Sequence, residues 1–166
     1  MPDFALARAK YLDDYLAKNK RPLGPLHGLP ISLKDQCRIK VRGPPRREIP
    51  PRKVVLWYWI SANSPPQGFD TTMGYAGWID KIDEGNSVIV DLLEKAGAVF
   101  YVKTSVPQSL MVCEAINNVF GRTSNPRNRN WSSGGSTGGE GALIGFRGSV
   151  MGIGTDIGRR LLLPAV

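Results

Sequence analysis

Close to the C-terminal end of the sequence, "SGGSTGGEGALI" places Gly134, Gly135, Gly138 and Gly139 around Ser136 and Thr137. Glycines on both sides open backbone conformations closed to other residues and let a ligand approach main-chain N–H groups. A helix starting just afterwards would add donors and a positive partial charge. The nucleotide-binding version of such a loop fails on detail. No Lys-Ser/Thr pair follows the second glycine, and "GIGTDIG" further on is not GxGxxG. Lys34 lies at the end of the short apolar stretch "ISLKD", and a lysine at a desolvated strand end loses proton affinity. Taken singly, the same residues also read as a surface lysine and a flexible linker. With His27 as the one histidine and Cys37 and Cys113 as the only cysteines, a His/Cys metal cluster cannot be assembled. No metal and no cofactor is expected.

These groups need a scaffold, and the hydrophobic pattern supplies one. Asp3 can cap a first helix in which Ala5, Ala9, Leu12 and Leu16 recur at helical spacing. "NKRPLGPLHGLP" ends it, and "ISLKD" reads as a short buried strand with Ile31 and Leu33 alternating with polar positions. Asn86 or Ser87 can cap a helix through Val88, Leu92 and Ala96, stopped by Gly97. "AVFYVK" predicts a strand. Ser105 with Pro107 predicts a further helix carrying Leu110, Val112 and Ile116, "GEGALIG" another, and "VMGIGT" a short strand. Strands alternating with helices favour an α/β sheet.

Residues 39–68 interrupt this pattern. They hold six of the 13 prolines, and they set Lys40, Arg42, Arg46, Arg47, Arg52 and Lys53 against Glu48 alone. Pro-Pro pairs exclude helix and disfavour a central strand, so a disordered or surface-draped insertion is expected, with "VVLWYWI" as its sticky part. Most of the net charge of +8 sits here, with Arg159 and Arg160 adding to it, so there is no continuous basic face and nucleic-acid binding is not expected. At 166 residues the chain suits one domain, 1–166, with this interruption. "MPDFALARAK" carries charges where a secretory signal needs an apolar stretch, and no apolar run is long enough to span a bilayer. Two cysteines without a disulfide framework suit a reducing compartment, so a cytoplasmic location is expected.

"GPLHGLPISLKD", "NPRNRNWSSGGSTGGEGALI" and "GSVMGIGTDIG" together resemble three successive landmarks of the amidase signature family, and "GAVFYVKTSVPQSL" between them is similar to its pattern. The closer likeness is to eukaryotic acetamidases and fatty-acid-amide hydrolases. The resemblance covers most of the chain except residues 39–68 and the last eight. It implies a partial amidase-signature fold, a mixed sheet flanked by helices and incomplete, the chain amounting to about a third of such a domain. It also implies a small-molecule amide substrate and a serine, cis-serine, lysine mechanism for breaking the carboxamide C–N bond. By position Lys34 is then the buried base, and Ser136, after a cis peptide from Gly135, the bridging serine. Backbone N–H groups around Ile157, Gly158 and Arg159 would form the oxyanion hole.

One position departs from that pattern. After "TDIG" the family has glycine, then the nucleophilic serine; here Arg159 and Arg160 stand in those places. A guanidinium stays protonated and cannot form an acyl-enzyme. Ser136, Thr137 and Thr155 are the hydroxyls left, with Ser136 committed to the relay, so the chain is expected to be a pseudoenzyme. The alternative is a non-catalytic binding protein that uses the retained pocket or the Pro-rich insertion. The insertion, "RRLLL" and the end at Val166 together resemble a retained intron with a frame error or early stop.

Overall fold

The computed structural model describes residues 1–40, 69–79, 81 and 83–156. The expected insertion lies outside the described residues from position 41 to 68, but its first residue does not: Ile39 is buried in the core. Residues 39 and 40, placed in the insertion by the charge pattern, thus belong to the described framework.

Helix α1 spans Pro2–Asn19. Met1, not Asp3, takes the cap position, without a side-chain bond. Pro2 lacks an N–H and has its φ preset, so it begins the helix, and Asp3 becomes an acidic residue of the first turn. Leu12 is buried but Leu16 is exposed. Phe4 meets Phe69 edge to face at 5.3 Å between ring centroids. The Arg8 guanidinium donates to the Glu94 carbonyl at 2.6 Å.

Three strands form a parallel sheet in the order β2-β1-β5: β1 Pro30–Lys34, β2 Val99–Thr104 and β5 Gly152–Ile153. Pro30 pairs with Val99 and Lys34 with Thr104, with a register shift between Ile31 and Ser32. As the central strand β1 is covered on both faces, so Ser32 and Lys34 are as buried as Ile31 and Leu33. Ile31 and Leu33 join Cys37, Ile39, Phe69, Val90, Leu93, Ala98 and Phe100 in one apolar cluster. Ser32 and Lys34 point the other way, into a polar layer.

Helix α2, Val88–Lys95, buries Val90 and Leu93 and leaves Val88 and Leu92 76% and 57% exposed. The face against the sheet is therefore not the one expected. Asn86 and Ser87 do not cap it with their side chains either. The Ser87 hydroxyl accepts from the Arg38 N–H and the Asn86 carbonyl oxygen from the Lys40 N–H, stitching α2 to the chain after β1. Gly97, at φ +95, ends the helical stretch as expected.

No α-helix follows Pro107. A short 3-10 turn at Gln108–Leu110 is broken by left-handed Ser109 and Leu110, and Ile116 opens an antiparallel hairpin, β3 Ile116–Asn117 with β4 Gly121–Arg122. Asn117 accounts for the difference. Its amide donates to the Val106 carbonyl at 2.6 Å, and its oxygen accepts the N–H groups of Val119 and Phe120. A buried side chain thus replaces the ladder a helix would have offered. Helix α3, Gly138–Gly145, follows the glycine-serine loop as expected. The result is an α/β arrangement of parallel and antiparallel strands flanked by helices.

Candidate active site

Lys34 ends β1 with no solvent exposure. Its ammonium donates to Ser136 Oγ at 2.7 Å, Thr155 Oγ1 at 2.9 Å, Thr137 Oγ1 at 3.0 Å and the Thr155 carbonyl at 3.2 Å. Burial pushes its pKa down to about 8, while Asp156, Cys37 and Glu140 pull the other way. A neutral amine is thus within reach at mildly alkaline pH.

Ser136 and Thr137 come from the loop before α3, where the Gly135–Ser136 peptide is cis. The loop sits close against its neighbours because its glycines have no side chains. A Cβ on Gly138 would meet Ala115 Cβ and Ser133 Oγ at 2.7 Å, and one on Gly139 would run into the Ser105 backbone. The expected donor-rich helix terminus is present, with Thr137 at its cap position and no side-chain cap bond.

Glu140, in the first turn of α3, fixes this helix to the sheet. Ser32 Oγ of β1 donates to one carboxylate oxygen at 2.5 Å and Thr104 Oγ1 of β2 to the other at 2.7 Å. Burial raises the Glu140 pKa, and the two hydroxyls and Lys34 oppose the rise. Gly152 of β5 leaves the space that the carboxylate fills. One side chain therefore links β1 and β2 to the helix that carries the Ser136 loop.

On the other side of Lys34, Asp35 lies 3.6 Å from Lys103 and accepts the Met73 N–H at 2.7 Å. Lys103 also donates to the Asp70 carbonyl at 2.7 Å and Thr71 Oγ1 at 3.1 Å. Burial lowers the Lys103 pKa against the pull of Asp35. This clasp holds residues 70–73 against the end of β1.

The family model for amidases matches residues 1–43 and 62–166. The chain belongs to the amidase family. It is 57% identical to an acetamidase of Emericella nidulans and 52% identical to one of Aspergillus oryzae, each over 164 residues. Each match takes in 99% of this chain and 25% of the other protein. This amidase-family chain thus spans about a quarter of the length of the curated relatives it matches. Among solved structures it is similar to a fatty acid amide hydrolase, at a TM-score of 0.78 and 39% identity over 98% of this chain and 24% of that one. A native peptide amidase from Stenotrophomonas maltophilia shares the fold at a TM-score of 0.59, with 22% identity over 84% of this chain and 24% of the other.

Of the residues singled out from sequence, Lys34, Gly135 and Ser136 come together. Ile157, Gly158, Arg159 and Arg160 lie outside the described residues. Sequence reasoning passed over Gln36 and Glu140, and named Thr137 and Thr155 only as spare hydroxyls, not as partners of Lys34. Their signal was weak: two threonines and a glutamate within glycine-rich runs, and a glutamine two positions beyond Lys34. The single histidine stays apart, its Nδ1 accepting the Leu23 N–H in the turn before β1. Among the described residues no cluster of three His, Cys, Asp or Glu side chains could hold a metal ion, and no helix is long and apolar enough to cross a membrane.

Proposed function

We propose that this chain carries the base half of a carboxamide-hydrolysing site and lacks the nucleophile. Lys34 is the base and Ser136 the hydroxyl that would pass a proton between a nucleophile and the amine, then return one to the leaving nitrogen. The observation carrying this reading is the 2.7 Å contact between Lys34 Nζ and Ser136 Oγ in a buried setting. The substrate class is a small carboxamide, by kinship with acetamidases. Arg160 takes the position that the family pattern gives to serine, so no acyl-enzyme forms. Thr137 and Thr155 do not substitute, because their hydroxyls are engaged with Lys34, with the Thr155 carbonyl and with Gln36.

An active-site-directed fluorophosphonate tests this. The chain is expected to show no labelling above its heat-denatured control. Labelling that is lost on denaturation would identify a working serine and overturn the reading. The double substitution R159G/R160S tells whether only the nucleophile loop departs from the pattern, through a gain of that labelling.

A second reading, a non-catalytic binding protein, draws support from an open depression beside α3, lined by Val102, Thr104, Pro126, Ala142, Leu143 and Phe146. Its lining is overwhelmingly apolar, which suits an acyl or alkyl group. Pull-down that depends on residues 39–68 would instead favour binding through the Pro-rich segment.

A further inference from the structure

The four oxygens around Lys34 differ in what they can offer. The Thr155 carbonyl has no hydrogen to give. Thr137 Oγ1 donates its hydrogen to that same carbonyl at 2.7 Å. Thr155 Oγ1 donates its own to Gln36 Oε1 at 3.0 Å. All three can therefore only accept from Lys34. Ser136 Oγ is the one whose hydrogen is not given to another oxygen among the described residues. An ammonium, with three N–H groups, is well served by this set. A neutral amine has two N–H groups and one lone pair, and the lone pair needs a donor.

We propose that Gln36, acting through Thr155, fixes the direction of the hydrogen bonds around Lys34, so that the lone pair of the neutral amine faces Ser136. Gln36 is a positioning residue: it reaches the amine only by orienting the Thr155 hydroxyl. Two locks hold the direction. The one on Thr137 is a backbone carbonyl, but the one on Thr155 is a side-chain amide that substitution can remove. Without it the Thr155 hydroxyl turns and donates to Nζ, and the lone pair is divided between two donors. The inference rests on reading Lys34 and Ser136 as base and bridging hydroxyl.

The test is a titration of Lys34 in the whole chain by NMR, with lysine labelled at Cε. The proteins are the wild type, Gln36→Leu, Gln36→Met, Gln36→Glu and Ser136→Ala. Asp156, Cys37 and Glu140, the other groups acting on Lys34, are unchanged throughout. Gln36→Leu is expected to lower the midpoint by about half a unit, because the neutral amine gains a second donor. Gln36→Met, of similar length, repeats the test if leucine prevents folding. Gln36→Glu keeps the acceptor, so its midpoint is expected to stay or rise. Superimposable titrations of wild type, Gln36→Leu and Gln36→Met overturn the role of Gln36 while leaving the relay reading standing. An ordinary lysine midpoint in the wild type, unmoved by Ser136→Ala, overturns both.

Discussion

At the scale of single residues, Lys34 is a buried amine, and its pH behaviour follows from that. Its pKa is near 8 in the fold, against 10.5 for a free side chain. Between those values the unfolded chain holds more protons than the folded one. Stability contributed by Lys34 therefore rises with pH across that window and levels off on either side. Lys34→Met should remove this rise, and urea denaturation of both proteins from pH 7 to 11 would show it as a difference in slope. Glu140 is the second test. Truncating it to alanine takes the nearest acceptor from the Ser32 and Thr104 hydroxyls, leaving Ser32 the Ser149 hydroxyl and the Met151 carbonyl at 3.3 Å and Thr104 only the Leu33 carbonyl at 3.5 Å. The expected loss is about 1–3 kcal/mol for each donor that stays unsatisfied, with Glu140→Gln milder because one acceptor remains. The same denaturation midpoints report it. The lysine and its serine were legible through the family resemblance; Gln36, Glu140 and the two threonines around them were not, because most of these groups lie about a hundred residues from Lys34 and only folding brings them together.

At the scale of elements, the three parallel strands and most helices could be read, while the β3–β4 hairpin and the buried faces could not. β1 and β2 announce themselves through apolar and β-branched residues, and α3 through the glycine loop before it. α2 misled, because Val88 and Leu92 follow a helical period as good as that of Val90 and Leu93. Periodicity finds a helix; only the neighbouring sheet selects the buried side. The helix expected after Pro107 failed for a different reason. Its apolar spacing is sound, but Asn117 gathers the backbone of 106 and 119–120 and bends the chain into a hairpin. The seat of α3 gives a prediction at this scale. Gly139→Ala forces a methyl group into the Ser105 backbone, so α3 must retreat from β2. Overpacking of this kind costs about 1–3 kcal/mol. Together with Gly138→Ala, it should also raise the Lys34 midpoint, since Ser136 and Thr137 move out as water moves in.

At the scale of the whole molecule, a polar layer between sheet and α3 coexists with large apolar groups in solvent. Val88, Phe146 and Val150 are each about three-quarters exposed, and Leu6, Met111 and Trp131 about two-thirds. Burying a side chain of this kind gains about 1.5–3 kcal/mol, so their exposure favours association. The purified chain should bind an apolar dye such as ANS in its native state and sediment faster as its concentration rises. Dye binding no greater than that of an ordinary small domain, with a fixed sedimentation rate, would count against this. The family was legible from the ordered glycine-serine, "SLKD" and "GIGTDIG" motifs, which carry Ser136, Lys34 and Thr155, the residues that meet in the fold. The exposed faces were not, since an apolar residue looks alike in sequence whether covered or bare. On the function proposed above, Lys34 is a base without its nucleophile. The most direct measurement is ammonia release from acetamide by the purified chain near pH 8, beside the same assay with Lys34→Met. The expected result is no turnover above buffer in either. Release by the wild type well above buffer, abolished in Lys34→Met, would contradict it.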